Sequence, residues 1–365
     1  MGPQLEFIGD TEVLAEGKLW TFFGGNDYHR FSRNPEVAGA LIDAVHRYGI
    51  NSGGSRITTA NHTLYLELEA VLADYLGTED AVICSAGYLS STMLVQSIAD
   101  EFDLLLIDEI AHGSLVDAAL QSGKPVVRYA HRDAGDLERS LRVNPSDRPL
   151  VLTDGVFASS GGIAPLAAIS KLITPRDGRI VIDDAHGVGV IGATGKGSWE
   201  DQGIDRNLIY QTGTLSKGLG GFGGFFAGSR SDTAPVRAKS RAFMGSTPVP
   251  LPVAAASIRS IQILKAEPDR LARIQKLSAT VKPALRKLGF KVSDGAAPIC
   301  SVTHFDSGRN AYLADCLCSQ EIYPSFIDYP GSPPGGHFRF TLSSAHTAEQ
   351  IDRLMLAVNN SLRQQ

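Results

Sequence analysis

The sequence predicts an α/β protein, a mostly parallel sheet held between helices and followed by a smaller α+β unit. Three observations carry that prediction. Short apolar runs alternate with amphipathic stretches from Ala81 to about Lys217, the rhythm of βαβ units. The runs are continuous rather than alternating, as strands covered on both faces require. A chain of 365 residues exceeds one ordinary domain of ~100–200 residues, and its pattern changes style near residues 250–265.

Taken in order, residues 1–29 form an acidic arm without the basic and apolar regions of a signal peptide. Leu64, Leu68, Val71, Leu72, Tyr75 and Leu76 recur at helical spacing and end at Gly77, a good C-cap. The strand-like runs are AVICS at 81, DLLLID at 103, PVVRYA at 125, PLVLTDGVF at 149, RIVIDDAH at 179 and LIYQTGT at 208. Between them, SLVDAALQSG and PLAAISKLI read as helices. A proline-rich stretch at 246–256 precedes helical patterns from about Ile258 to Leu288. Strand-like FKV, PICSVTHF and HFRFTLSS follow, then a last helix with Ile351, Leu354, Met355, Val358 and Leu362 on one face. The expected division is an arm (1–29), a large domain (30–257) and a small C-terminal α+β domain (258–365).

Composition narrows the function. With 34 basic and 39 acidic side chains the net charge is -5, which gives no field to attract a phosphate backbone. No apolar run approaches the ~18–20 residues of a membrane span. Four cysteines are too sparse for a disulfide framework and read as reduced thiols, so a cytoplasmic location is expected. Glycine is in excess, 38 of 365 residues, which points to tight turns or close backbone approach to a ligand. GLGGFG at 218–223 has the spacing of a dinucleotide fingerprint but follows the sixth run instead of the first. GATGKGS at 192–198 places Gly197 where a phosphate loop needs Ser or Thr. Serine-hydrolase, zincin and paired C-x-x-C motifs are missing, and no metal site is expected.

What remains is chemistry at the ends of strands, where ligands of such sheets bind. Asp183, Asp184 and His186 leave one run, Lys217 follows another beside Thr214 and Ser216, and His112 follows a third. A lysine amine, a carboxylate, imidazoles and small hydroxyls at one sheet edge are the inventory that holds pyridoxal 5'-phosphate (PLP). The amine forms an imine with the aldehyde. The carboxylate keeps the pyridine nitrogen protonated, so the ring can accept an electron pair. Backbone N–H groups at a helix start and hydroxyl donors suit the phosphate, and Ala86, Gly87, Tyr88, Thr214 and Ser216 could supply them.

With those residues in view, the sequence resembles the α-oxoamine synthases, fold-type-I PLP enzymes. The resemblance runs from NDYHRFSRNPEV at 26 to the C-terminal helix. It includes YGINSGGSR, TDGVFASSGGIAPL, VIDDAHGVGVIGATGKG, TGTLSKGLGGFGG and FRFTLSSAHTAEQIDRL. It implies Lys217 as the Schiff-base lysine, Asp183 as partner of the ring nitrogen, His186 near the phenolic oxygen and His112 as the stacking histidine. It further implies Gly87, Tyr88 and Thr214 around the phosphate, and Ser246 and Thr247 reaching the phosphate of the other subunit of a homodimer. Asn26 and Arg339 match amino-acid-binding positions, Arg339 as a bidentate clamp on carboxylate. The implied reaction is decarboxylative condensation of a small amino acid with an acyl-CoA or acyl-carrier-protein thioester. The same residues also serve aminotransfer, and a further alternative is a non-catalytic PLP-fold subunit, which should have lost at least the lysine. Ala158, Asp154 and Tyr65 stand where the family usually has serine, glutamate and histidine, and no arginine precedes Arg30.

Overall fold

A computed structural model describes residues 3–328 and 331–363. Strands β1 (Glu6–Phe7), β2 (Glu12–Ala15) and β3 (Lys18–Thr21) form a small antiparallel sheet. The central sheet contains β4 (Asp80–Cys84), β5 (Leu104–Asp108), β6 (Val126–Tyr129), β7 (Pro149–Asp154), β8 (Arg179–Asp183), β9 (Ile209–Thr214) and β10 (Gly224–Gly228). Its order is β4-β10-β9-β8-β7-β5-β6, and β10 alone runs antiparallel to its neighbours. The third sheet joins β11 (Ile299–Val302), β12 (Phe326–Ile327) and β13 (His337–Thr341) in the order β11-β13-β12.

The six apolar runs are β4 to β9; the side chains of β4, β5, β7, β8 and β9 are buried because helices cover both faces of the sheet, while the edge strand β6 buries only Tyr129. One apolar cluster packs the helix Thr63–Leu76 and the helix Leu251–Ala266 against β4 and β10. Another fills the opposite face, with Met93, Leu94 and Leu115 over Val82, Leu105 and Phe226. The C-terminal unit has its own core, built from Val281, Leu285, Phe338, Phe340 and Leu354. The arm packs against this unit: Thr21 bridges Ile322, and Phe23 O accepts the Thr341 N–H at 2.6 Å.

Two local expectations change. FKV forms no strand; Phe290 and Val292 enter the C-terminal core just past Gly289 (φ 92°), where the Val292 N–H turns back to Phe290 O at 3.0 Å. The helix expected from Ile258 begins at Leu251, because a proline at the first helical positions has no N–H to lose and a suitable φ. The domain boundary placed after residue 257 therefore falls within one continuous helix. Its middle touches the loop that follows β9: a Cβ on Gly221 would lie 2.0 Å from Ser257 Oγ, and Ser260 donates to Leu219 O. GLGGFG is thus a packing loop, with Gly220 at φ 65° pressed against Phe31. The GATGKGS segment is filled from within, its Thr194 and Lys196 N–H groups donating to Glu200 Oε2 at 3.0 and 3.1 Å.

Candidate active site

The carboxyl ends of β5, β7, β8 and β9 converge on a cavity of about 180 Å³. Gly87, Tyr88, His112, Asp183, His186, Thr214, Ser216 and Lys217, all expected from the sequence, lie in its wall. Ser114, Asp154, Ala158 and Ala185 complete it. Lys217 Nζ is 2.8 Å from His186 Nε2, and His186 Nδ1 is 2.7 Å from the hydroxyl of Tyr28, which is fully buried. With Lys217 as ammonium, it donates to Nε2, and Nδ1–H donates to Tyr28. With a neutral amine the whole chain can reverse direction.

Burial lowers the Lys217 pKa, opposed by the charge of Asp183 and reinforced by that of Arg339. The same burial, with the positive charges of Lys217 and Arg339, holds His186 well below the usual imidazole range, so it is neutral. His112 is lowered too, first by desolvation. It caps the helix Gly113–Gln121, and Nδ1 accepts the Ser114 N–H at 3.3 Å while facing Ser114 Oγ at 2.8 Å. Ser114 Oγ also reaches Asp183 Oδ2 at 3.3 Å, and Asp183 Oδ1 accepts the Ala185 N–H at 3.1 Å. Asp154 Oδ2 accepts the His112 N–H at 2.8 Å, and its carboxyl is pushed well above the usual range by burial and the charge of Asp183.

The remaining expected residues sit outside the wall. Ala86 O closes the turn into the helix Leu89–Ile98 by accepting the Leu89 N–H. Asn26 Oδ1 accepts from Arg339 Nη2 at 3.0 Å, which joins those two as a pair. Arg339 Nε donates to Ala158 O at 2.6 Å and Nη1 to Thr341 Oγ1 at 3.1 Å, and its guanidinium also hydrogen-bonds the buried Tyr28 hydroxyl. Ser246 and Thr247 are absent from the wall; Ser246 is half-buried and Thr247 exposed. Tyr65 is a core residue whose hydroxyl donates to Val249 O at 2.9 Å. Tyr28 and Ser114 escape sequence reasoning, although each lies two residues from a residue that it did identify.

The donor set fits PLP. An amine and a carboxylate face one small cavity, with hydroxyls and the start of the helix Leu89–Ile98 beside them. Close approach at that end requires glycine, since a Cβ on Gly87 would meet Thr214 Oγ1 at 2.6 Å.

Residues 20–358 match the family model described as aminotransferase class I and II. The 8-amino-7-oxononanoate synthase of Trichlorobacter lovleyi is 33% identical over 351 residues, covering 95% of this chain and 90% of that protein. The 8-amino-7-oxononanoate synthase 1 of Bacillus subtilis is 31% identical over 363 residues, covering 99% and 93%. Among solved structures, a serine palmitoyltransferase from S. paucimobilis with bound PLP-myriocin aldimine superposes with a TM-score of 0.90 at 25% identity, covering 98% and 91%. The Sphingomonas wittichii serine palmitoyltransferase gives 0.90 at 26%, covering 98% and 90%. The chain belongs to the aminotransferase class I and II family, in its α-oxoamine synthase branch, and is a PLP-dependent enzyme with the fold-type-I architecture.

Proposed function

We propose that the protein condenses a small amino acid with an acyl thioester, releasing carbon dioxide and the free thiol, to give an α-oxoamine. The observation that carries this reading is the convergence of Lys217, Asp183 and His112 on one cavity, with the Asn26–Arg339 pair linked to its wall through Ala158. Bound PLP supplies an electron sink for the pair left when a bond to the amino acid's α-carbon breaks. Lys217 would hold the cofactor through its amine, and its free Nζ would take the α-proton of the amino acid. Its lowered pKa keeps part of the amine neutral and able to accept that proton. His186 and Tyr28 continue the hydrogen-bond chain from Nζ, so a proton taken there can be stabilised and returned.

Asp183 is the partner of the ring nitrogen, fixed by Ala185 N–H and Ser114. His112 is the stacking imidazole. Gly87, Tyr88, Thr214 and Ser216 are the phosphate ligands. Arg339 orients the substrate carboxylate through its guanidinium. A second cavity of about 360 Å³ shares His112, Asp154 and Ala158 with the first and continues past Ile110, Val116 and Phe157. Those apolar side chains favour an acyl chain, the half of the reaction that aminotransfer lacks.

A homodimer and a cytoplasmic location complete the proposal. Ser55 Oγ donates to Met244 O at 2.6 Å, which ties the segment bearing Ser246 and Thr247 to the loop that exposes Ile50 and Ile57. The four cysteines are free, in keeping with a reducing compartment.

The test is spectral and chemical. The holoenzyme should show an imine absorption band that borohydride removes and that Lys217→Ala lacks. Small amino acids crossed with CoA and carrier-protein thioesters should release thiol and carbon dioxide in at least one pairing. Silence in every pairing, with amino-group transfer to keto acids, would replace condensation by aminotransfer.

A further inference from the structure

A separate cavity of about 370 Å³ lies where the turn at Phe31–Arg33 meets the first turns of the helices Pro35–Tyr48 and Pro268–Lys287. Four arginines line it: Arg30, Arg33, Arg270 and Arg273. Asp10, Glu267 and Asp269 share the wall, which leaves the basic groups one ahead. Glu267 is already engaged, its Oε2 2.6 Å from Arg270 Nε.

Arg30 is the residue that demands an explanation. It is 9% exposed, and its Nε is buried without a hydrogen-bond partner. A charged group with a donor withdrawn from water in this way gains when an anion meets it. Two carboxylates act on it through space, Asp27 and Asp10. Asp27 is committed elsewhere, its oxygens accepting the Phe31 and Ser32 N–H groups at 3.0 Å each. Asp10 is exposed to solvent.

The backbone adds to the case. Arg30 sits at φ 56°, ψ 35°, the left-handed region that suits glycine and strains a side chain. Around it, Arg33 and Arg273 each use one terminal N–H on a backbone carbonyl, Phe7 O at 2.9 Å and His346 O at 3.2 Å, and keep others. The helix Pro268–Lys287 has no side-chain cap, so the positive end of its dipole also faces the cavity.

We propose that this cavity binds a phosphate-class dianion, with Arg30 as its central ligand. Inorganic phosphate and the adenosine bisphosphate end of coenzyme A share that chemistry. The binding can be tested without turnover, so it stands or falls separately from the condensation reaction.

The experiment titrates PLP-loaded enzyme, whose own phosphate site is filled, with inorganic phosphate, pyrophosphate and adenosine 3',5'-bisphosphate by calorimetry at low ionic strength. Arg30→Gly is the informative variant, because glycine accepts the left-handed backbone. Its cofactor absorption and melting temperature should match or exceed those of the wild type. Saturable binding in the wild type, weakened about tenfold or more in Arg30→Gly, supports the site. Arg33→Gln should weaken binding by less. Tighter binding of the bisphosphate, with competition against a CoA thioester, assigns the site to the acyl carrier; equal affinities assign it to free phosphate. No saturable binding, or equal affinity in wild type and Arg30→Gly, overturns the proposal.

Discussion

Asp183 and Asp184 are neighbours in the chain with opposite surroundings, because successive side chains at a strand end point to opposite faces. Asp183 faces the cofactor cavity. Asp184 is fully buried, and accepts the Ser198 N–H at 2.8 Å and the Gln211 amide at 3.0 Å. Gly187 and Gly197 press against it so closely that a Cβ on either would fall 2.0 Å from its carboxylate oxygens. Desolvation pushes the Asp184 carboxyl up to about 7. Its folded pKa therefore lies above the unfolded value, and between about pH 4 and 7 the folded state holds a proton that the unfolded chain has released. Asp184 thus contributes a loss of stability as pH rises through that window, roughly 4 kcal/mol in full, and none beyond it. Buried histidines act with the opposite sign, since His29 is lowered to about 4 and His346 to about 3 by burial. The contribution must be read as a difference. Urea unfolding of wild type and Asp184→Asn at pH 5 and pH 8 should show the wild type losing several kcal/mol relative to the variant. Parallel curves would show that Asp184 is ionised in the folded protein throughout.

The helix Thr63–Leu76 shows how an element can depend on one residue that its pattern does not advertise. Glu69 is 3% exposed on the packed side of the helix. It accepts from Arg56 Nη1 at 2.5 Å and Nη2 at 3.0 Å, from the Ile83 N–H at 3.1 Å, and from Arg237 Nη2 at 3.3 Å. The helix, β4 and the helix Arg230–Lys239 meet at this carboxylate. Glu69→Ala would leave the buried Arg56 without its partner and should destabilise the fold by about 3–5 kcal/mol in urea unfolding. A change within 1 kcal/mol would place the junction's stability in the surrounding apolar packing. Apolar spacing located this helix and its Gly77 cap, but counting apolar residues gives no weight to a buried acid. Six strands were legible for the converse reason, since continuous Val, Ile and Leu runs need no partner to be recognised. FKV alternates apolar Phe290 and Val292 with exposed Lys291 and forms no strand, because burial and ladder formation are separate events. Strand ends pointed to Lys217, Asp183 and His112, whereas Tyr28 and Ser114 reach the site by folding contacts that no spacing encodes.

At the scale of the whole molecule, the unpartnered feature is an apolar surface on one side of the large unit. Ile42 and Val45 lie one turn apart on the helix Pro35–Tyr48, and Ile50 and Ile57 project from the loop beyond it, 71% and 53% exposed. Leu66 on the helix Thr63–Leu76 is also exposed, and the two helices meet where the Tyr48 and His62 rings approach at 4.8 Å. Large side chains clustered this way mark an interface. Ser246 and Thr247 lie next to that loop through the Ser55–Met244 hydrogen bond, outside the cavity of their own chain. A second copy docking here would bury the isoleucines and could bring the two hydroxyls to its own cofactor phosphate. Wild type should therefore sediment as a dimer at micromolar concentration. Ile50→Asp/Ile57→Asp would bury two unpaired carboxylates at the interface and should weaken association about 100-fold or more. The resulting monomer should lose PLP affinity although every residue of its cavity wall is unchanged, because hydroxyl donors from the second copy would be gone. A monomeric wild type, or a charged variant with unchanged mass and cofactor affinity, would show that each chain completes its own phosphate site.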